Sequence, residues 1–149
     1  MSVYKRRISA MQALVAGTVI AKDHISLVTI KNEFEEVRKV EKMKPLPRRR
    51  LLQLLHSTRA LDSFLKGFTD FYAIRGSNHA LGEYLNCLGT HTNPHLNKLP
   101  NGRAKYYRQK IVDRRNIYMH KAGAFPNDEK EILTLLSEMQ TCLAEVASL

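Results

Sequence analysis

The sequence predicts an all-α domain, an antiparallel bundle of about five helices, on three observations. Helical periodicity recurs along almost the whole chain. Strand signals are nearly absent, and no hairpin dipeptide sits between alternating runs. The 149 residues, 44% of them hydrophobic, are enough to bury a core without disulfides or a structural metal. That length points to one domain over residues 1–149. No internal repeat or low-complexity tract divides it.

The elements follow in order. A first helical region runs from about Tyr4 to Met43, with a break near Lys22–Asp23–His24. Its first half repeats Ile8, Met11, Val15 and Val19 at helical spacing. Its second half turns Leu27, Ile30, Phe34 and Val37 inward, with Glu33, Glu35, Glu36, Arg38 and Lys39 outside. Pro45–Leu46–Pro47 ends the region, because proline removes a donor and biases its predecessor out of the helix. A long helix from about Arg48 to Tyr72 carries a wide face of Leu51, Leu54, Leu55, Leu61, Leu65, Phe68 and Phe71. A shorter helix spans roughly Asn78 to Leu88, and a polar connection with two prolines runs from Gly89 to Asn101. A basic helix covers about Gly102 to Lys121. After the Gly/Pro break at Ala122–Asn127, the last helix runs from Asp128 to about Ala147. Asp128 and Glu131 have the capping-box spacing at its start.

Charge narrows the function classes. There are 24 Lys and Arg against 14 Asp and Glu, a formal net charge of +10, which favours a polyanionic partner and nucleic acid first. No apolar run is long enough to span a bilayer. Lys5–Arg6–Arg7 ahead of Ile8–Ala21 resembles a signal peptide, but Ser9, Gln12, Gly17 and Thr18 interrupt the stretch and suit an amphipathic helix. Cys87 and Cys142 lie in apolar stretches and lack metal-ligand spacing, which reads as two reduced, buried thiols in a cytoplasmic protein.

The basic helix is the informative element. Lys98, Arg103, Lys105, Arg108, Lys110, Arg114, Arg115 and Lys121 meet one acid, Asp113, and Tyr106, Tyr107 and Tyr118 are interleaved. Cations attract phosphates, and aromatic rings can stack on unpaired bases. The plainer alternative is a solvated basic face with its tyrosines packed inward. At about 100° per residue, Arg115 falls near the centre of an apolar arc of Ala104, Tyr107, Ile111, Val112, Tyr118 and Met119, with Arg108 close by. Asn116, His120 and Asp113 share a stripe at the arc's edge. A cation on a burying face is costly unless paired or useful. It is therefore either bonded to a carboxylate or helix-end carbonyls, or it lines a cleft or a seam between two chains.

Arg115–Asn116–Ile117–Tyr118–Met119–His120 reads R-N-x-x-x-H at the end of a penultimate helix, before a Gly/Pro loop and a final amphipathic helix. In motif, length and helix order the chain resembles the HEPN superfamily (higher eukaryotes and prokaryotes nucleotide-binding). The resemblance implies a metal-independent endoribonuclease without cofactors, acting as a homodimer whose two motifs form a composite RNA site. It further implies a toxin or defence effector, restrained by an antitoxin or a larger defence complex. Carried onto this sequence, Arg115 binds the scissile phosphate, His120 transfers a proton, and Asn116 orients the phosphate or the histidine. Arg108, Arg114, Lys121, Lys105 and Tyr118 are the expected RNA-binding residues. The tyrosine that some HEPN toxins carry two residues after the histidine is Ala122 here, which puts that form of control in doubt. Arg114 also has a permitted spacing to His120, but the polar Asn116 directly after Arg115 favours Arg115.

Other constellations are thinner. His91 and His95 are four apart, but Pro94 between them opposes a helix and no third metal ligand is evident. His56 and His79 read as ordinary structural or surface residues. A non-catalytic, dimeric helical RNA-binding or regulatory module is the alternative function.

Overall fold

A computed structural model describes residues 2–149. Seven α-helical segments appear: α1 (Val3–Ala16), α2 (His24–Lys39), α3 (Leu46–Phe71), α4 (Leu81–Thr90), α5 (Arg103–Tyr107), α6 (Asp113–His120) and α7 (Glu129–Ala147). A π-helical turn, Arg108–Val112, joins α5 to α6, so residues 103–120 form one continuous rod. No strand occurs among the described residues. The all-α bundle expected from periodicity is therefore the observed architecture.

Local chemistry sets the boundaries. Ser2 caps α1 by accepting from the Lys5 N–H, and Asp23 caps α2 by accepting from the Ser26 N–H. The expected break near Lys22–Asp23 is real but begins sooner. α1 stops at Ala16, and Val19–Lys22 forms a 3₁₀ turn. Val19 consequently leaves the stripe that Ile8, Met11 and Val15 keep buried. α3 starts at Leu46, two residues before the expected Arg48, because Pro47 falls in the first turn, where a missing N–H costs nothing. α4 starts at Leu81 rather than Asn78: no side chain caps it, and Ala80 is still extended.

α2 and α3 pack antiparallel. Glu33 of α2 meets His56 and Arg59 of α3, while Gln53 reaches the Val37 carbonyl. α3 is the central rod, touching α2, α4, α6 and α7. Its buried Leu54, Leu61, Phe64, Leu65 and Phe68 anchor one core shared with Ile30, Phe34, Tyr84, Leu85, Tyr107, Ile111, Leu136 and Met139. Full burial of each such aliphatic or aromatic side chain contributes about 1.5–3 kcal/mol. Cys142 is in that core, and burial pushes its thiol well above the usual range; Cys87 is only half-buried. Among the described residues, no helix is long and apolar enough to cross a membrane.

The start of α7 is held from three sides, which fixes the loop after the R-N-x-x-x-H motif. Asp128 accepts from the Glu131 N–H at 2.9 Å, as the capping-box spacing predicts. The return bond differs: Glu131 accepts from the Asn127 N–H at 3.1 Å, one residue before the cap. Arg50 of α3 donates to the Asn127 carbonyl at 2.9 Å, and Tyr4 of α1 donates to Glu129 at 3.0 Å.

Candidate nucleic-acid interface

The continuous rod of residues 103–120 lies between α7 on one flank and α3 with α4 on the other. On the α7 flank, carboxylates at seven-residue spacing meet the tyrosines of the rod. Tyr118 donates to Glu131, Tyr106 to Glu138 (2.8 Å) and Tyr107 to Glu145. Seven residues are about two helical turns, so Glu131, Glu138 and Glu145 form one stripe of α7 pointing at the rod. Arg114 pairs with Glu131 at 3.0 Å, and Arg103 pairs with Glu145 at 3.1 Å while donating to the Tyr107 hydroxyl at 2.9 Å. Lys110 sits 5.8 Å above the Tyr106 ring.

These contacts shift the local acidities consistently. Burial and the Glu131 carboxylate push the Tyr118 hydroxyl up to about 12. Burial and Glu145 raise Tyr107 still further. For Glu131, burial alone would raise the carboxyl; bonds from Tyr118, Arg114 and the Asn127 N–H outweigh it and hold the group below its ordinary 4.5. The interleaved tyrosines thus follow the plainer of the two readings. Tyr107 is fully buried, Tyr106 and Tyr118 are half-buried, and all three hydroxyls are engaged. No sequence period in the basic helix announces this ladder; the heptad spacing of glutamates in α7 was the signal that could have found it.

The other flank carries cations without carboxylate partners. Arg108 lies over α4 with its Nε 3.3 Å from where a Cβ on Gly82 would be, so the absent side chain gives the guanidinium its seat. Arg115 is half-buried on α6, which follows the π turn and has no fully buried residue, so the regular projection does not carry through that helix. Its Nη2 and Nε donate to the Asn116 carboxamide oxygen at 3.1 and 3.4 Å. Asp62 of α3 lies in the field of Arg115 without forming an ion pair. Burial raises the Asp62 carboxyl, and the charges of Arg115 and Lys66 oppose that rise. Among the described residues, Lys105, Arg108, Lys110, Arg115 and Lys121 form no ion pair with a carboxylate.

The π turn sits between the two halves of the rod. Such turns are rare and concentrate at functional sites. Here it accommodates two adjacent buried residues, Ile111 and Val112, just before the motif. Arg115 and Asn116 are brought together; His120 is exposed at the end of α6 and bonds to neither. Met119, expected on the apolar arc, is 37% exposed, because the rod runs past the edge of the core there. Ile117 of the same helix and Phe125 of the following loop are also exposed.

Comparison with family models, curated proteins and solved structures finds no match for this chain.

The histidines outside the motif have local explanations. The Nδ1 of His91 accepts from the Asn93 N–H at 3.2 Å, and its Nε2 faces the Asn97 carbonyl at 3.1 Å. Both ring nitrogens therefore close the loop after α4. No cluster of His, Cys, Asp and Glu suited to a metal ion occurs among the described residues. His56 bonds Glu33 at 2.8 Å between α2 and α3, and His79 bonds Arg75 at the surface.

Proposed function

We propose that the chain is a metal-independent endoribonuclease working as a homodimer, in which Arg115, Asn116 and His120 of two protomers form one composite site. The observation that carries this reading is Arg115. The residue is half-buried on the side of α6 near Asp62 of α3, bonded to Asn116, and without a carboxylate in ion-pair reach. Such a placement costs stability unless an anion completes it. A phosphodiester is the anion that the surrounding cations favour.

In this mechanism the 2′-oxygen of RNA attacks the adjacent phosphorus and the 5′-oxygen leaves. Arg115 binds the non-bridging oxygens as charge grows on them. His120, exposed at the helix end, takes the proton of the 2′-hydroxyl or supplies one to the leaving oxygen, a task suited to histidine. Products carry a 2′,3′-cyclic phosphate and a 5′-hydroxyl. Lys105, Arg108 and Lys121 attract the strand. Exposed Ile117, Met119 and Phe125 beside the motif supply apolar surface for a second copy to cover. A toxin or defence effector acting in the cytoplasm, restrained by an antitoxin or a larger complex, fits such an activity.

A second reading is a dimeric RNA-binding or regulatory module without turnover. That His120 bonds to neither Arg115 nor Asn116 favours it. Incubation with single-stranded RNA in EDTA separates the two. Cleavage leaving cyclic phosphate ends, absent in Arg115→Ala and His120→Ala, supports the enzyme; tight binding with no cleavage sinks it. Sedimentation at the mass of one chain at micromolar concentration would remove the composite site.

A further inference from the structure

A second, independent feature lies between α2 and α3. The 3₁₀ turn, the start of α2 and the last turns of α3 enclose an open groove of about 540 Å³. Its floor is tight. A Cβ on Gly67 would lie 2.8 Å from the Ile20 Cδ1, so the glycine lets the 3₁₀ turn approach α3 and sets the groove's depth. Its rim carries two large apolar side chains turned to solvent, Ile25 at 79% and Phe71 at 52% exposure. Phe71 belongs to the apolar face of the long helix, yet it stands at the edge of the core rather than within it.

The charges around the groove are unequal in kind. Its two carboxylates are already used: Asp23 accepts the Ser26 hydroxyl at 2.7 Å and the Ser26 N–H at 3.2 Å, and Asp70 pairs with Arg75. Its two lysines are not. Lys22 stands 5.8 Å above the Phe71 ring, and Lys66 is exposed; neither forms an ion pair among the described residues. An aromatic face flanked by free ammonium groups is the combination that binds unpaired nucleotides, the ring taking the base and the cations the phosphate.

We infer that this groove is a nucleotide-binding subsite for single-stranded RNA, with Phe71 as the stacking platform and Lys22 and Lys66 as phosphate contacts. The inference rests on the reading that the chain acts on RNA, and it names how the strand is held away from the cut. The two places are joined through α3. Lys66 is one turn from Asp62, and Lys66 and Arg115 both act on the Asp62 carboxyl. A strand leaving Arg115 across that turn of α3 enters the groove at Lys66.

The test is the affinity of a labelled eight-nucleotide single strand of 2′-O-methyl RNA, which binds but cannot be cut by 2′-oxygen attack. Phe71→Ala is expected to weaken binding at least fivefold, in line with about 1–3 kcal/mol for stacking one base. Phe71→Tyr restores the affinity. The double variant Lys22→Ala/Lys66→Ala lowers the slope of log affinity against log salt by about 1.4, about 0.7 for each phosphate no longer neutralised. Thermal melting of the same variants separates weakened binding from failure to fold. Unchanged affinity and slope in folded variants would overturn the subsite. So would a dimer that Phe71→Ala dissociates while RNA affinity holds, which assigns the groove to a second copy. Groove-dependent binding of this probe by a parent that does not cleave unmodified single-stranded RNA contradicts the nuclease reading alone; a parent that binds no RNA contradicts both.

Discussion

Along the flank of the basic rod that meets α7, Arg103 and Arg114 each find a carboxylate; along the flank that meets α3 and α4, Arg108 and Arg115 find none. Both flanks belong to the same helix and have similar composition. The difference lies in what the neighbouring helices present. α7 offers Glu131, Glu138 and Glu145 at heptad spacing, whereas α4 offers Gly82 and α3 offers the non-contacting Asp62. One flank uses its charge to hold the fold together. The other keeps both its arginines available to meet phosphate, while on the α7 flank only Lys110, standing over the Tyr106 ring, is left without an ion pair among the rod's cations there.

The largest expected effect is on the chemistry. His120→Ala lowers cleavage of single-stranded RNA by about a hundredfold or more, with the melting temperature unchanged because the side chain is exposed and unbonded. A fall in stability comparable to the loss of activity would break the division between the flanks. Calorimetry beside the cleavage assay reads both.

Next comes the hub of the structural flank. Glu131→Gln disturbs the contacts to Arg114, Tyr118 and the Asn127 N–H together. It is expected to cost about 2 kcal/mol, or roughly 4–8 °C in melting temperature. The sign with pH follows from the depressed carboxyl. Its stabilisation is fully present above the unfolded value of 4.5 and is lost as pH falls below that through the folded value. The melting temperature of the parent should therefore drop more steeply than that of Glu131→Gln on acidification below 4.5.

A smaller effect sharpens the same contrast. Arg108→Ala should lower the salt slope of RNA binding by about 0.7 and leave stability nearly unchanged. Tyr118→Phe should leave the salt slope alone, since it removes only the hydroxyl, which is bonded to Glu131. If Tyr118→Phe weakened RNA binding with the fold intact, the tyrosine would return to the interface.

Smallest is Asp62→Asn. Burial raises the Asp62 carboxyl, so ionisation is unfavourable in the folded state and the amide should match or slightly raise the melting temperature at neutral pH. The raised group also predicts that the parent gains from acidification at this one position, opposite in sign to Glu131. Asp62→Asn removes that gain.

The helices were legible in the sequence because apolar spacing and end signals agree. Ile132, Leu135, Leu136, Met139, Leu143 and Val146 are all buried, and Asp128 caps α7 as its spacing with Glu131 predicts. Boundaries slipped where a backbone preference replaced a side-chain signal, as at Pro47 and Ala80. The half-burial of Arg115 was legible from helical projection, but the full arc was not: the π turn shifts the phase before α6, and Met119 is exposed. The fate of the tyrosines was not legible, because it depends on α7, whose glutamates approach only in three dimensions. Nor was the groove, since Gly67 and Ile20 are 47 positions apart in the sequence and meet through packing.

Arg114 and Arg115 test the central claim most directly, because they are neighbours in sequence and lie on opposite flanks. Both precede His120 by about one and a half helical turns. Cleavage of single-stranded RNA in EDTA is measured for Arg114→Ala and Arg115→Ala, each beside its melting curve. The expected result is that Arg115→Ala loses about a hundredfold to a thousandfold in rate while staying folded, whereas Arg114→Ala melts lower and keeps its cleavage. Equal losses, or a loss confined to Arg114→Ala, would contradict the account.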